Sequence, residues 1–588
     1  MKKKLRSKKI LSLFMSGAVA ASLLAGCGSR DAGSAGASAA ATEEAATESA
    51  AAGGEREEEA FAHDPVLNEP GAEPLCREQV VITIGIPANT NIEDYDTNYY
   101  TLLLEEKANV DIQFVTYTSA DATEKLRVQI AGGEKLPDII LWGQDEAEMM
   151  EWGADGYFIP LEQYFENSAY YTTDIYADYQ EKGLDILGLS TTSDGHIWQF
   201  PGLTDSLTNP TGAKLWVYEP WLEAVGMTRE DIADVDGFYE MLVAFKTQDP
   251  NGNGVADEIP LMGSVLDQTD NQPWVYLMNA FQPTTVARQF LVSENGQLSA
   301  SFTTDEFKEG VKYISRLVQE GLYDPVSFTQ DNASFRSILN AAGDQLVGCF
   351  AYTSTSLITA DHPSKNDWIL VDPLIGADGY CSTAYAPDIP VGMAAISADC
   401  EHPEVAFRLM DLMCSEYMSI VNRYGEEGVN WMYAEDAKEE YPDADWSVTY
   451  GEYPPYILDF NSVWNTMGNA HWMEAGPHIR TAEISGGYFA ASVATGIGQA
   501  YIAELAEHHD DYMAAIPAEP ITKIQYASPD EQTEAAEIYT ELYDYVTEMI
   551  SAWFTGTSDV EADWNTYLDT LEEIGLSDWL ELNQKGWG

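Results

Sequence analysis

Positive charge is what this 588-residue chain has least of: 29 Lys and Arg stand against 97 Asp and Glu, a formal net charge of −68. A nucleic-acid-binding surface, or a patch for anionic lipid headgroups, needs a basic footprint, so both are excluded. Cysteine is also scarce, six in all without a CxxC pair, which leaves metal clusters and thiol-redox motifs without support. Beyond the N-terminal segment no run approaches the roughly 18 continuous apolar residues of a membrane span. No GxSxG elbow, HExxH helix, GxxxxGK[ST] phosphate loop or fixed-period internal repeat occurs. His402-Pro403-Glu404 matches half of a zinc deaminase signature but no CxxC follows, and Pro in a first helical turn accounts for it. His508-His509 reads as a solvated helix end.

What is present suffices for large cores: 45% of residues are hydrophobic and 11% aromatic, and the length calls for two domains or more. The N-terminus reads as an address. Six positive charges (Lys2, Lys3, Lys4, Arg6, Lys8, Lys9) precede the apolar run Ile10–Ala21, and Leu24-Ala25-Gly26-Cys27 closes the segment. This pattern resembles the lipobox of bacterial lipoproteins, which implies a signal peptide over 1–26 and a lipidated Cys27 as the first mature residue. Removal of 1–26 takes those six positive charges and no acid, leaving 23 against 97, a net −74. Two or more acyl chains on Cys27 would anchor the protein stably to the outer face of the cell membrane. Residues 27–77, rich in Ala, Glu, Gly, Ser and Thr, read as a disordered tether. The other five cysteines (Cys76, Cys349, Cys381, Cys400, Cys414) are odd in number; one disulfide remains possible, with its partners open.

From residue 78 the chain begins as β-α-β-α-β. Val80–Ile86 and Val110–Tyr117 are β-branched runs; Asp96 or Thr97 caps a helix reaching Lys107. Asp121-Ala-Thr-Glu124 is a capping box for a helix that Gly132-Gly133 stops before the strand Asp138–Trp142. The pattern predicts a parallel sheet with a ligand crevice at its carboxyl ends, where Asn89–Asn98 and Trp142–Asp145 are the loops. Later, Val391–Ile396 precedes a helix opened by Glu401-His402-Pro403-Glu404 and ending at Gly425. Ser528-Pro529-Asp530-Glu531 opens a long amphipathic helix stopped at Gly556, and a final helix covers Val560–Ile574.

Several segments, in order, then carry a resemblance: Gly133-Glu-Lys-Leu-Pro137-Asp138-Ile139, Asp194-Gly195-His-Ile-Trp198-Gln-Phe-Pro201, and Leu215-Trp216-Val-Tyr-Glu-Pro-Trp221 to Gly226. His402-Pro403-Glu404 running to Tyr424-Gly425-Glu426-Glu427-Gly428, and Trp564 to Leu576, complete it. Together with the lipobox these resemble the family 1 extracellular solute-binding lipoproteins of bacterial ABC importers, most closely the long branch with the calcium-containing alginate-oligosaccharide binders. The resemblance implies an α/β, class II periplasmic-binding-protein-like fold of two hinged lobes, 78–204 plus 388–440 and 205–387 plus 441–588. Pro201–Thr204 and Ala386–Pro390 are the hinge candidates. It implies a monomer that captures a carbohydrate, most readily an oligosaccharide, or another small solute by cleft closure and delivers it to the transmembrane subunits of an ABC permease, without being an enzyme. A secreted glycoside hydrolase, needing only two suitably spaced carboxylates, and a surface adhesin are the competing readings.

Asp249-Pro-Asn251-Gly-Asn253-Gly254-Val255-Ala-Asp257-Glu258 places side-chain oxygens at loop positions 1, 3, 5, 9 and 10 with Gly at 6. This follows calcium-loop logic, although position 12 is Pro260 rather than Glu. The resemblance carries over a structural Ca²⁺ held by Asp249, Asn251, Asn253, the Val255 carbonyl, Asp257 and Glu258. A sugar site would stack aromatic faces on pyranose C–H surfaces and bond hydroxyls with carboxylates and amides. Loop position nominates Trp142, Trp274, Trp431, Trp464 and Trp472, with Asn89, Gln144, Asp145 and Glu427 as polar partners; core packing is the competing role for each aromatic.

Overall fold

The computed structural model describes residues 61–587 apart from 266–269, 360–361, 462, 464–466 and 498–499. In chain order the strands are β1 (Val80–Pro87), β2 (Val110–Tyr117), β3 (Ile139–Ile140), β4 (Phe200–Thr204), β5 (Lys214–Tyr218), β6 (Ile259–Leu261) and β7 (Leu291–Glu294). They continue as β8 (Gln297–Ala300), β9 (Val347–Tyr352), β10 (Trp368–Val371), β11 (Val391–Ile396), β12 (Trp431–Tyr433), β13 (Ile457–Asp459) and β14 (Ile479–Arg480). The main sheet has the order β14-β4-β11-β3-β1-β2, a second has β10-β5-β9-β6, and β7-β8 and β12-β13 form small ladders.

The β-α-β-α-β opening forms as its sequence predicts. β1 pairs in parallel with β2 over its whole length and with β3 through Ile84 and Gly85. The first helix, Tyr99–Ala108, is capped by the Asn98 side chain, one residue past the expected cap. Gly133, at φ 64°, closes the helix Ala122–Gly132 by returning its N–H to the carbonyls of Gln129 and Ile130. β11 enters between β3 and β4 antiparallel to both, while β14 runs parallel to β4.

Two lobes follow from two cores. One gathers Ile82, Ile84, Ile139, Phe200, Ile396, Phe407 and Met410 around the main sheet. The other gathers Leu215, Phe238, Val311, Cys349, Leu542 and Trp553 around the second sheet and the C-terminal helices. The long helix Pro529–Phe554 has the expected Ser528 cap and Pro in its first turn. Past Val560–Ile574 a further helix, Leu576–Gly586, packs Trp579 into the same core.

Four expectations change. Phe61–Arg77 is no tether: Leu67, Leu75 and Cys76 lie in the first core. Arg408 donates to the carbonyls of Asn68 (2.7 Å) and Glu69 (3.1 Å), and His63 Nδ1 lies 2.8 Å from Glu404. The helix expected from Glu401 to Gly425 is two, Pro403–Met413 and Glu416–Tyr424, because Ser415 caps the second. The first lobe does not stop at 440, since β14 belongs to the main sheet and Ile457, Trp472 and Ile479 to its core. His508 is buried: Nδ1 lies 2.6 Å from Asp372 and Nε2 2.6 Å from Arg229. Residues 1–26 and Cys27 lie outside the described residues.

Candidate functional site

The ladders fix where a site can be. β1, β2, β3, β4 and β14 all run in one direction and β11 runs against them, so one edge of the main sheet collects five carboxyl ends and the amino end of β11. The chain leaves this edge after Thr204, returns to it at Val391, and leaves again after Arg480. On the second lobe, Lys214 opposes Tyr352, and Leu215 opposes Val371. The amino end of β5 and the carboxyl ends of β9 and β10 therefore share the edge that receives the first crossing. Two sheets thus face each other end to end across three crossings, the arrangement in which loops at strand ends form a crevice.

The third crossing is made inside a helix. Ala482–Thr495 places Ile484 in the first core and Ala490 in the core around Trp216 and Phe350, with Tyr488 packed on one side and Phe489 on the other. Gly486 and Gly487, in mid-helix, admit the segment at Tyr453–Tyr456, whose atoms occupy the space a Cβ on either would need.

Between the cores lies a group that loop position did not nominate. The Tyr424 and Tyr488 rings stand 5.5 Å apart, and the Arg423 guanidinium lies 5.4 Å from the Tyr424 ring. Tyr501 of the second lobe lies against Trp216 and faces the Arg423 charge. Tyr488 and Tyr501 keep part of their surface exposed, while burial raises both hydroxyl pKa values. Arg423 is 2.6 Å from Glu474, which also meets Arg480 at 3.2 Å. Burial opposes ionisation of Glu474, yet Arg480, Arg423 and His478 hold its carboxyl down at about 2. At the first two crossings, burial pushes Asp388 up to about 7 although the Ser206 N–H donates to it at 2.7 Å, and the neighbouring Asp205 adds to the rise. The one available signal for this region was Gly-Gly inside an apolar helical pattern, a mark of close approach.

Of the nominated residues, Asn89 follows the carboxyl end of β1, and Trp142, Gln144 and Asp145 that of the neighbouring β3, on the strand-end edge. Trp142 is half-buried, 5.1 Å from the Tyr117 ring, with its N–H 3.3 Å from Thr123 Oγ1. Gln144 and Gln199 exchange two hydrogen bonds of 2.7 and 3.0 Å, and the buried Gln144 Oε1 has no hydrogen-bond partner among the described residues. Asp145 caps the helix Glu146–Ala154, and Asn89 accepts from the Asn91 N–H. Glu427 stands exposed beside the Tyr417 hydroxyl. Three tryptophans are corrected to core packing. Trp431 is fully buried with its N–H on the Gly425 carbonyl. Trp472 is fully buried among Tyr95, Tyr100 and Phe114 with its N–H on Thr101. Trp274 stacks on Phe290 in the second lobe. Trp464 lies outside the described residues.

The acidic loop sits between the helix Val235–Thr247 and β6. Its Asp249, at φ 48°, accepts from the Gly254 N–H at 3.0 Å, and the Asn251 and Asn253 amides both meet Asp257. The buried Glu258 Oε1 has no hydrogen-bond partner among the described residues. An all-oxygen donor set with one orphaned carboxylate oxygen fits a hard cation. Asp372, His508 and Asp511 also converge, but Arg229 and Asp372 occupy both His508 nitrogens, which leaves no imidazole ligand free.

Comparison with known proteins agrees with this geometry. The chain is 25% identical over 512 residues to the fructooligosaccharide ABC transporter substrate-binding protein FusA of Streptococcus pneumoniae, covering 85% of this chain and 88% of the relative. Structures of FusA with kestose, and of its EF-hand mutant with fructo-nystose, superpose with TM-scores of 0.68 at 20% identity, covering 86% of this chain and 98% of theirs. The alginate-binding protein AlgQ2, solved without calcium ion, superposes with a TM-score of 0.61 at 17% identity over 88% of this chain and 98% of that one. The model of a family described as bacterial extracellular solute-binding protein matches residues 103–418. With both lobes, the three crossings and that match in hand, the chain belongs to the bacterial extracellular solute-binding proteins.

Proposed function

We propose that this protein is the receptor of an ABC importer: it captures an oligosaccharide between its lobes and delivers it to the permease. The observation that carries this reading is the strand-end edge that all three crossings leave or reach, which bears half-buried Trp142 and a buried Gln144 Oε1 without a hydrogen-bond partner among the described residues. An aromatic face and an unspent amide acceptor are what a sugar ring uses. Closure supplies affinity because the ligand contacts both lobes only when they meet. Solute binding needs no bond chemistry, so no residue is assigned a catalytic role. Kestose in the FusA complex motivates neutral fructans as first probes.

In this reading the protein acts as a monomer outside the cytoplasm, held to the membrane by lipidated Cys27. Asp249, Asn251, Asn253, the Val255 carbonyl, Asp257 and Glu258 would hold Ca²⁺, which supplies rigidity to the loop entering β6. Calorimetric titration of the mature protein with mono- and oligosaccharides, amino acids and peptides tests the proposal. Binding of a saccharide recovered intact, with a smaller scattering radius, is expected. Recovery of cleaved sugar would replace it by the hydrolase reading, and binding of peptides alone would remove the sugar.

A further inference from the structure

The contact between lobes continues beyond the strand-end edge. One residue past Asp145, the lobes face each other across a solvent-open crevice of about 530 Å³. The first lobe lines it with Glu146, Thr192 and Ser193, and the second with Lys523, Gln525 and Gln532. Lys523 Nζ donates to the Glu146 carboxylate and, at 2.9 Å, to the Leu189 carbonyl. Gln525 Nε2 donates to the Gly188 carbonyl at 3.2 Å. Each of these bonds joins one lobe to the other, so closure assembles the crevice and opening dismantles it.

Its chemistry selects an occupant. The volume suits a small-molecule ligand rather than a few waters. Among the described residues that line the crevice the one cation, Lys523, is spent on Glu146, and Asp185 adds a second carboxylate. An acidic sugar would meet two carboxylates and no free cation, whereas hydroxyls, amides and backbone carbonyls match a neutral polyol in both donors and acceptors. Glu146 opens the helix that Asp145 caps, so the crevice begins one residue from the strand-end edge that carries Trp142, Gln144 and Asp145.

We propose that this crevice is the distal end of the ligand cleft, that it takes the outer units of a neutral oligosaccharide, and that the Lys523–Glu146 pair is the latch set across it on closure. The inference rests on the receptor reading above. It requires affinity to rise with chain length until the crevice is filled, and the rise to depend on residues that the shortest ligand never meets.

The test is calorimetric titration of the full mature protein with sucrose, kestose and nystose, the malto-oligosaccharides of equal length, and trigalacturonate. Gln532→Trp, which fills the crevice from a helix surface, is expected to abolish a tenfold or larger gain of the longest over the shortest bound sugar while leaving the shortest within twofold. Ser193→Tyr repeats the filling from the first lobe should the first variant misfold, and Lys523→Met should weaken the longest ligand more than the shortest. If both filling variants fold and keep the length gain, the distal site is overturned and the receptor reading stands. Trigalacturonate binding as tightly as the neutral trisaccharides, and lost in Lys523→Met, overturns the neutral class. Absence of binding by every saccharide overturns the receptor reading itself.

Discussion

The backbone at Gly143 runs so close to Gly392 that a side chain on the first would overlap the carbonyl oxygen of the second. Gly143 belongs to the loop that presents Trp142 and Gln144, and Gly392 is the second residue of β11, where the chain returns to the main sheet. Gly143→Ala must therefore push the loop off β11. The expected cost is about 1–3 kcal/mol, the usual range for overpacking, together with weaker ligand binding because Trp142 moves. Denaturant titration and calorimetry on one preparation check it; unchanged affinity in a destabilised variant would detach the loop from the site.

Buried and half-buried tryptophans should separate cleanly. Trp431→Ala and Trp472→Ala each remove a fully buried ring and an N–H bond, at about 3–5 kcal/mol. Trp142→Ala, at the rim, should cost much less stability and most of the affinity. The measurement is the melting temperature beside the dissociation constant for all three; a stable Trp472→Ala with lost binding would restore the ligand role that its sequence context suggested.

That context explains what was and was not legible. The β1-α-β2 opening was readable because β-branched runs, a capping region and Gly133 agree with one another. Trp431 and Trp472 misled because Asn, Gly and Pro surround them as in an exposed loop, whereas Thr101 and the Gly425 carbonyl satisfy their N–H groups inside. Phe61–Arg77 continues the acidic, small-residue composition upstream, and the bonds that order it reach residues more than 300 positions away. The third crossing lies inside the continuous helix Ala482–Thr495, where the Gly486-Gly487 pair is the one local mark. Long-range polar partners leave no local pattern, and a mid-helix crossing leaves only a glycine pair whose meaning the partner segment supplies.

Calcium should act through the loop at 249–258. Chelation is expected to lower the melting temperature of the wild type and to leave Asp257→Ala unchanged. At 100 times its dissociation constant the ion contributes about 2.7 kcal/mol. A wild-type melting temperature indifferent to chelator would remove the ion from the proposed function.

Acid stability should report on Glu474. Its folded pKa of about 2 lies below the ordinary 4.5, so its contribution is present above about 4.5 and lost as pH falls through about 2. Glu474→Gln should flatten this limb. It also leaves Arg423 and Arg480 buried beside a neutral group, at a cost of about 3–5 kcal/mol near neutrality. Equal acid limbs in the two proteins would place the acid sensitivity elsewhere.

Lys214 should supply the opposite slope. It opens β5 just after the first crossing, and its Nζ donates to the Thr208 carbonyl at 2.6 Å, to Thr211 Oγ1 at 2.8 Å and to the Thr211 carbonyl. The Tyr512 ring lies 5.3 Å from the amine and His509 feels its charge. Burial lowers its pKa from 10.5 to about 7. Between those values the unfolded chain holds a proton that the folded protein lacks, so stability rises with pH, by at most about 1.4 kcal/mol per unit. His509 is shifted downward from 6.5 and titrates below this window. Lys214→Met removes the rise and leaves the two threonine carbonyls without their donor, costing about 1–3 kcal/mol. Urea unfolding of both proteins at pH 7, 8, 9 and 10 gives the comparison; parallel lines would mean that the crossing carries a charged lysine throughout.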